Sequence, residues 1–263
     1  MMSRTPAPIE SSAAFTTHRT ESFDGTLLAY DLYESDSERV VLVVPGFWRT
    51  RGHRAMRALA NLLLEHGYRP AVCDLRGHGE SGGVFGFNRN EHHDLEAIAA
   101  DLQQQSGARS FSIVAFSYGA AIAISAAARH SLPLDALVCI SAVADFDLIT
   151  PRFRLLTLHR HIAISQALQR PRFEWRLRRT PKLRAADDVG GVAAPLSLIH
   201  FKDDWLIGHQ HSLKLFQHAT DPKEVHILDL PGEYHADRIF SAAPKVIEPL
   251  LLEFLARHTS RTK

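Results

Sequence analysis

Phe111-Ser112-Ile113-Val114-Ala115-Phe116-Ser117-Tyr118-Gly119-Ala120-Ala121-Ile122-Ala123-Ile124 changes character at Ser117. The residues before it form a short apolar run of the length and β-branched content of a buried strand. The small residues after it, continued by Ser125 to Ala128, suit a helix. Ser117 therefore sits on a sharp strand-to-helix turn. Such a turn lifts the hydroxyl above the sheet and sets it over a helix N-terminus, whose amides and partial positive charge favour a developing anion. Residues 115–119 match Gly-x-Ser-x-Gly except that Ala115 takes the first glycine position, the smallest replacement available. A helix N-cap serine would also fit this turn. The strand-turn-helix setting favours a nucleophile.

Strand-like and helix-like segments alternate outward from this turn. Leu27–Leu32, Val40–Val44, Arg69–Cys73, Phe111–Ala115, Leu137–Ile140, Leu196–His200 and Val225–Leu228 read as strands. Arg51–His66, Glu91–Gln105, Ile207–His218 and Ala243–His258 read as helices, the first two closed by Gly67 and Gly107. Repeated β-then-α units predict a mostly parallel central sheet with helices on both faces. Residues 147–192 break the alternation. They hold ten Arg and Lys against four acids, a net +6 in a chain of net +1. Phe153, Leu156, Ile164, Ala167 and Leu168 recur there at helical spacing. The segment is expected to be a short, basic helical cap inserted between two core stretches, 21–146 and 193–263. Residues 1–20 are expected to be a flexible tail.

Composition narrows the class. With 45% hydrophobic and 22% charged residues, the chain is an ordinary globular protein. The near-neutral balance argues against a general nucleic-acid binder, and no apolar run is long enough to span a bilayer. Met1 to Ala14 carries one arginine and no apolar core, unlike a secretory signal. Cys73 and Cys139 both fall in predicted strands, so buried reduced thiols and a cytoplasmic location are expected. The pairs His92/His93, His159/His161 and His209/His211 lack the spacing of a strong zinc motif. We read most of the histidines as surface residues and expect no metal.

The chain resembles the α/β-hydrolase fold superfamily over nearly its whole length. Asp74-Leu75-Arg76-Gly77-His78-Gly79-Glu80-Ser81 resembles the Asp-x-Arg-Gly-x-Gly-x-Ser stretch of many lipases and esterases. We read it as a structural loop below the site, with Asp74 and Arg76 fixing turns. Pro45-Gly46-Phe47-Trp48, after the Val40–Val44 strand, resembles the family's oxyanion loop, with Pro45 in place of its histidine. The resemblance implies that the amides of Phe47 and Tyr118 receive an oxyanion. It implies an acid after the Leu196–His200 strand, where Asp204 fits the family spacing; Asp203 is one residue off, and Asp145 or Asp147 would serve in an alternative placement. It implies a base after the last strand, where His235 in Leu230-Pro231-Gly232-Glu233-Tyr234-His235 fits better than His226 or His258. Trp48, Phe116 and Trp205 are expected to contact substrate.

The resemblance thus implies a cofactor-free serine hydrolase of carboxylic esters, with Ser117 as nucleophile, His235 as base and Asp204 as acid. Asp203-Asp204-Trp205 is also similar to the matching stretch of bacterial acyl-carrier thioesterases. A thioesterase acting on acyl-carrier protein or acyl-CoA is therefore an alternative, the basic cap meeting the acidic carrier. A lysophospholipase or monoacylglycerol lipase meeting anionic lipid is another. C–C hydrolysis and acyl transfer share the same motif. A non-catalytic binding protein of this fold is disfavoured by the full set of three residues.

Overall fold

The computed structural model describes residues 13–145, 171–172 and 183–259. Eight strands form one sheet: β1 (Phe15–Glu21), β2 (Leu27–Tyr33), β3 (Val40–Val44), β4 (Arg69–Cys73), β5 (Phe111–Phe116), β6 (Leu134–Ile140), β7 (Leu196–Phe201) and β8 (Lys223–Leu228). Their order across the sheet is β1-β2-β4-β3-β5-β6-β7-β8. β1 and β2 run antiparallel to their neighbours and the remaining pairs are parallel. The described helices are α1 (Arg54–Glu65), α2 (Glu91–Ser106), α3 (Tyr118–His130), α4 (Ala185–Asp188), α5 (Gln210–His218), α6 (Arg238–Ala242) and α7 (Pro244–His258).

The strand alternation sorts the core into two layers. Leu42, Val44, Ile113, Ala115, Leu137 and Cys139 face the side covered by α2, α3 and α5. Val41, Val43, Val114, Phe116, Val138 and Ile140 face α1 and α7. Both faces are covered, which is why the central strands read as unbroken apolar runs. The chain is thus an α/β-hydrolase fold, a mostly parallel sheet with helices on both faces.

The topology also places the site. From β3 the chain moves outward to β4, then returns past β3 to form β5. This reversal leaves the crevice beyond the carboxyl ends of β3 and β5 uncovered by a crossing helix, the usual ligand position in such sheets.

Two expectations about the ends of elements need correction. Residues 15–20 are not a tail: Phe15–Glu21 pairs along its length with β2, from Phe15 opposite Tyr33 to Glu21 opposite Leu27. As an edge strand it buries no residue fully, so Phe-Thr-Thr-His-Arg-Thr-Glu carries no apolar run. Helix α1 starts at Arg54 rather than Arg51, because residues 50–53 form a turn and the His53 ring caps Ala55 N–H. Most of the expected cap, including Phe153 to Leu168 and Arg176 to Arg179, lies outside the described residues. Its described end, α4, is held to α3 by the Arg129–Asp188 ion pair, 2.8 Å.

Candidate active site

The turn after β5 has the strain that its sequence implies. Ser117 has φ 51° and ψ −113°, a region that only glycine visits freely. Its amide donates to the Ile140 carbonyl at 2.8 Å, tying the turn to the end of β6. Gly119 is required by close approach: a Cβ there would lie 2.2 Å from the Pro45 carbonyl oxygen. Gly46 is tight but less so, since its Cβ would lie 3.2 Å from that of Ser117. The 45–48 loop therefore rests directly on the serine turn. Ala115, by contrast, is a regular strand residue between Val44 and Cys139, so no glycine is needed there.

Ser117 Oγ lies 2.9 Å from His235 Nε2. His235 Nδ1 lies 2.8 Å from Asp204 Oδ2 and 3.0 Å from Oδ1. An ionised carboxylate only accepts, so the ring proton sits on Nδ1 and Nε2 is left to accept the serine hydroxyl. Asp204 has a fully buried side chain. Burial works against its charge, but the His235 ring and N–H, with the Ile207 amide among further partners, hold its pKa below the usual value. Its Oδ1 accepts from the amides of Leu206 and Ile207, both at 2.9 Å.

The other candidate acids and bases are elsewhere. Asp203 is exposed. Asp145 faces Arg184 and Lys214 at 3.6 and 3.7 Å. His226 pairs with Glu224 at 3.0 Å on β8, and the His258 ring packs on Phe254. Asp147 lies outside the described residues.

Phe47 and Tyr118 belong to one aromatic cluster with Phe85 and Phe87. Phe47 lies 5.2 Å from both phenylalanine rings, and Tyr118 lies 5.3 Å from both. The cluster holds the 45–48 loop against the first turn of α3. Half-buried Trp48 lies tilted against Phe47 at 5.6 Å, and half-buried Trp205 stands edge-on to His235 at 6.1 Å. Phe116 is a correction. Its ring is 1% exposed and packs on Phe240, because strand alternation turns it toward α1 and α7 rather than toward the crevice.

Two buried histidines hold the loops. The His78 ring lies 3.0 Å from the Arg76 carbonyl through Nδ1, and its Nε2 accepts the Trp48 amide at 3.3 Å. The His200 ring lies 2.9 Å from the Ile207 carbonyl through Nε2 and 2.7 Å from Ser212 Oγ through Nδ1. Neither role was visible in the sequence, since each partner is brought in by the fold. Asp74 and Arg76 are structural as expected: Asp74 accepts from Arg51 and from the Glu80 amide, and Arg76 bridges Asp94 and Asp24. Arg49 pairs with Asp237 at 3.1 Å and ties the 45–49 loop to the loop carrying His235.

Burial, the leading cause, pushes His78 and His200 each down to about 4 from 6.5. In the unfolded chain both take a proton as pH falls below 6.5, whereas the folded protein refuses it until near pH 4. The unfolded state binds more protons in that window, so stability falls as pH falls through it. At about 1.4 kcal/mol per unit and residue, the loss by pH 4 is on the order of several kcal/mol. Urea unfolding at pH 7, 6 and 5 should show this decline, and His200→Gln should flatten it. Equal stability at pH 7 and 5 would contradict the assignment.

A family model described as serine aminopeptidase, S33, matches residues 35–188, more than half of the chain. No curated protein matches the sequence significantly. Among solved structures, the esterase Pf2001 of Pyrococcus furiosus superposes with TM-score 0.76 at 20% identity, covering 95% of this chain and 92% of that one. The α/β hydrolase GrgF of a Penicillium species gives TM-score 0.74 at 18% identity, over 94% and 99%. An esterase of Exiguobacterium antarcticum gives 0.69 at 15%, over 90% and 98%. At these identities the likeness is one of fold.

Proposed function

Because the chain belongs to the serine aminopeptidase S33 family, a family of α/β-hydrolases, we propose that it is a serine hydrolase of carboxylic esters acting through an acyl-enzyme. The observation that carries this reading is the continuous hydrogen-bonded line from Asp204 through His235 to Ser117, with contacts of 2.8 and 2.9 Å.

As Ser117 Oγ attacks the ester carbonyl carbon, His235 Nε2 takes its proton, and Asp204 stabilises the resulting imidazolium. The carbonyl oxygen becomes an oxyanion facing the amides of Phe47 and Tyr118. Tyr118 is the first residue of α3, at the helix end whose partial positive charge favours a developing anion. Losing one such donor typically costs about 3–4 kcal/mol. His235 then gives the proton to the departing alkoxide, leaving an ester of Ser117. Water repeats the sequence and releases the acid. Trp48 and Trp205 line the substrate side in this reading. Two buried free thiols, Cys73 and Cys139, favour a cytoplasmic location. No helix among the described residues is long and apolar enough to cross a membrane.

The test is a fluorophosphonate probe together with esters, thioesters and aminoacyl anilides of graded acyl length. Labelling at Ser117 with turnover of esters supports the proposal. Labelling with turnover of anilides alone would favour a peptidase, and no labelling would favour a binding protein.

The +6 charge of residues 147–192 favours a second reading, in which the substrate is an anionic thioester or lipid. Salt screens such attraction over about 10 Å at 0.1 M. The KM for an acyl-CoA or a lysophospholipid should then rise severalfold between 50 and 500 mM salt, while that for a short neutral ester stays constant. Charge reversal at Arg176, Arg178 and Arg179 should mimic high salt. Equal salt responses for both substrate types would leave the neutral ester as the better description.

A further inference from the structure

We infer that His92, His93 and His130 form a binding site for a divalent transition-metal ion of the zinc type. The site stands apart from the proposed chemistry. His92 and His93 lie in the first turn of α2, and His130 is the last residue of α3. The two helices pack side by side, and one ring nitrogen from each histidine lies within 4.8 Å of the others. His92 Nδ1 is 2.8 Å from His130 Nε2. His92 is buried, while His93 and His130 keep an edge toward solvent, which leaves an entry path for an ion. Their surface reading is therefore corrected for His92.

The orientation of His130 carries the argument furthest. Its Nδ1 lies 3.0 Å from Glu96 Oε2. Because the carboxylate accepts, the ring proton belongs on Nδ1, and the Nε2 lone pair is turned toward His92. A carboxylate gripping the far nitrogen of an imidazole is the usual outer support of a metal-binding histidine. Glu96 Oε2 also lies 3.5 Å from His93 Nδ1, so one acid backs two rings.

Donor chemistry sets the class of ion. Three imidazole nitrogens favour Zn2+, Co2+, Ni2+ or Cu2+ over Mg2+ or Ca2+, which prefer oxygen. Tetrahedral zinc with bonds of 2.0–2.1 Å needs nitrogens about 3.3 Å apart. On binding, the proton that His92 Nδ1 shares with His130 Nε2 moves to His92 Nε2, and the His92–His130 contact opens by about half an ångström through small ring rotations. The fourth position is left for water. Helix α3 begins beside Ser117 and its thirteen residues end at His130, so at 1.5 Å per residue the ion sits roughly 20 Å from the nucleophile. Its effect is to clamp α2 to α3.

The experiment uses the full chain without an affinity tag, stripped with a chelator and titrated with Zn2+ alone. One equivalent should bind with micromolar or tighter affinity and raise the Tm. Co2+ should give the visible absorption bands of a tetrahedral site. His130→Ala, and His93→Ala at the more exposed ring, should each weaken binding at least tenfold and abolish the Tm shift. Glu96→Gln should weaken it about tenfold. Circular dichroism at the same temperature verifies that each variant is folded. Absence of stoichiometric uptake, or uptake unchanged in a folded His93→Ala variant, overturns the site and leaves three packed imidazoles.

Discussion

Ser117→Ala should yield a folded protein whose ester kcat/KM is lower by about five to six orders of magnitude. Losses of that size follow removal of a serine nucleophile elsewhere, because the covalent step disappears while binding and oxyanion stabilisation remain. The fold should survive. The turn is held by the Ser117 amide on Ile140 and by the contact of Gly119 with Pro45, and neither uses the hydroxyl. Alanine also faces the same backbone strain as serine, so no new strain arises. The measurement is turnover of a short p-nitrophenyl ester beside far-ultraviolet circular dichroism. Activity within tenfold of the parent in a folded variant would remove Ser117 from the mechanism.

Asp204→Asn should lower kcat/KM by about three to four orders of magnitude, and the reason lies in its hydrogen bonds. Oδ1 accepts from both Leu206 and Ile207. An asparagine that keeps those two bonds must present its NH2 group to His235 Nδ1. Two donors cannot share one bond, so the ring proton moves to Nε2, where the imidazole can no longer take the serine proton. The same tautomer argument accounts for losses of about 10⁴ in other serine triads. Exposed Asp203→Asn should change the rate less than twofold. The opposite ranking would put the acid one residue earlier in the chain.

The legible parts of the fold were those where local chemistry has a single solution. Val40–Val44 coincides residue for residue with its strand because it is buried on both faces. β1 was illegible because an edge strand tolerates polar residues on both sides. Short α6 follows the histidine loop and carries no periodic stripe of its own. In the site, Ser117, Asp204 and His235 follow β5, β7 and β8; the strand-to-helix turn marked Ser117, and the family resemblance, through its triad order and loop spacing, implied Asp204 and His235. The structure brings these three side chains into one line. Phe116 was misjudged because adjacency to Ser117 says nothing about which face a strand residue takes. His78, His200 and the Arg49–Asp237 pair were out of reach for a different reason. Their partners lie far away in sequence or on a turning loop, and only packing decides whether they meet. The histidine cluster is the same case, since His130 is 38 residues from His92 and nothing local marks it as a partner.

Among the described residues after β6, Arg172 and Leu183 are tied to residues 77–88. The Phe85 amide donates to the Arg172 carbonyl, the Arg172 amide donates to Gly77, and the Leu183 amide donates to Asn88. None of Ser117, Asp204 and His235 lies between Asp145 and Leu183. The parts that would move protons and the part that would greet a substrate thus sit on separable lengths of chain, moored to each other through residues 77–88. A side chain at Gly77, whose Cβ would lie 2.3 Å from the Arg172 carbonyl oxygen, would therefore loosen that mooring while leaving Ser117, Asp204 and His235 on their own lengths of chain.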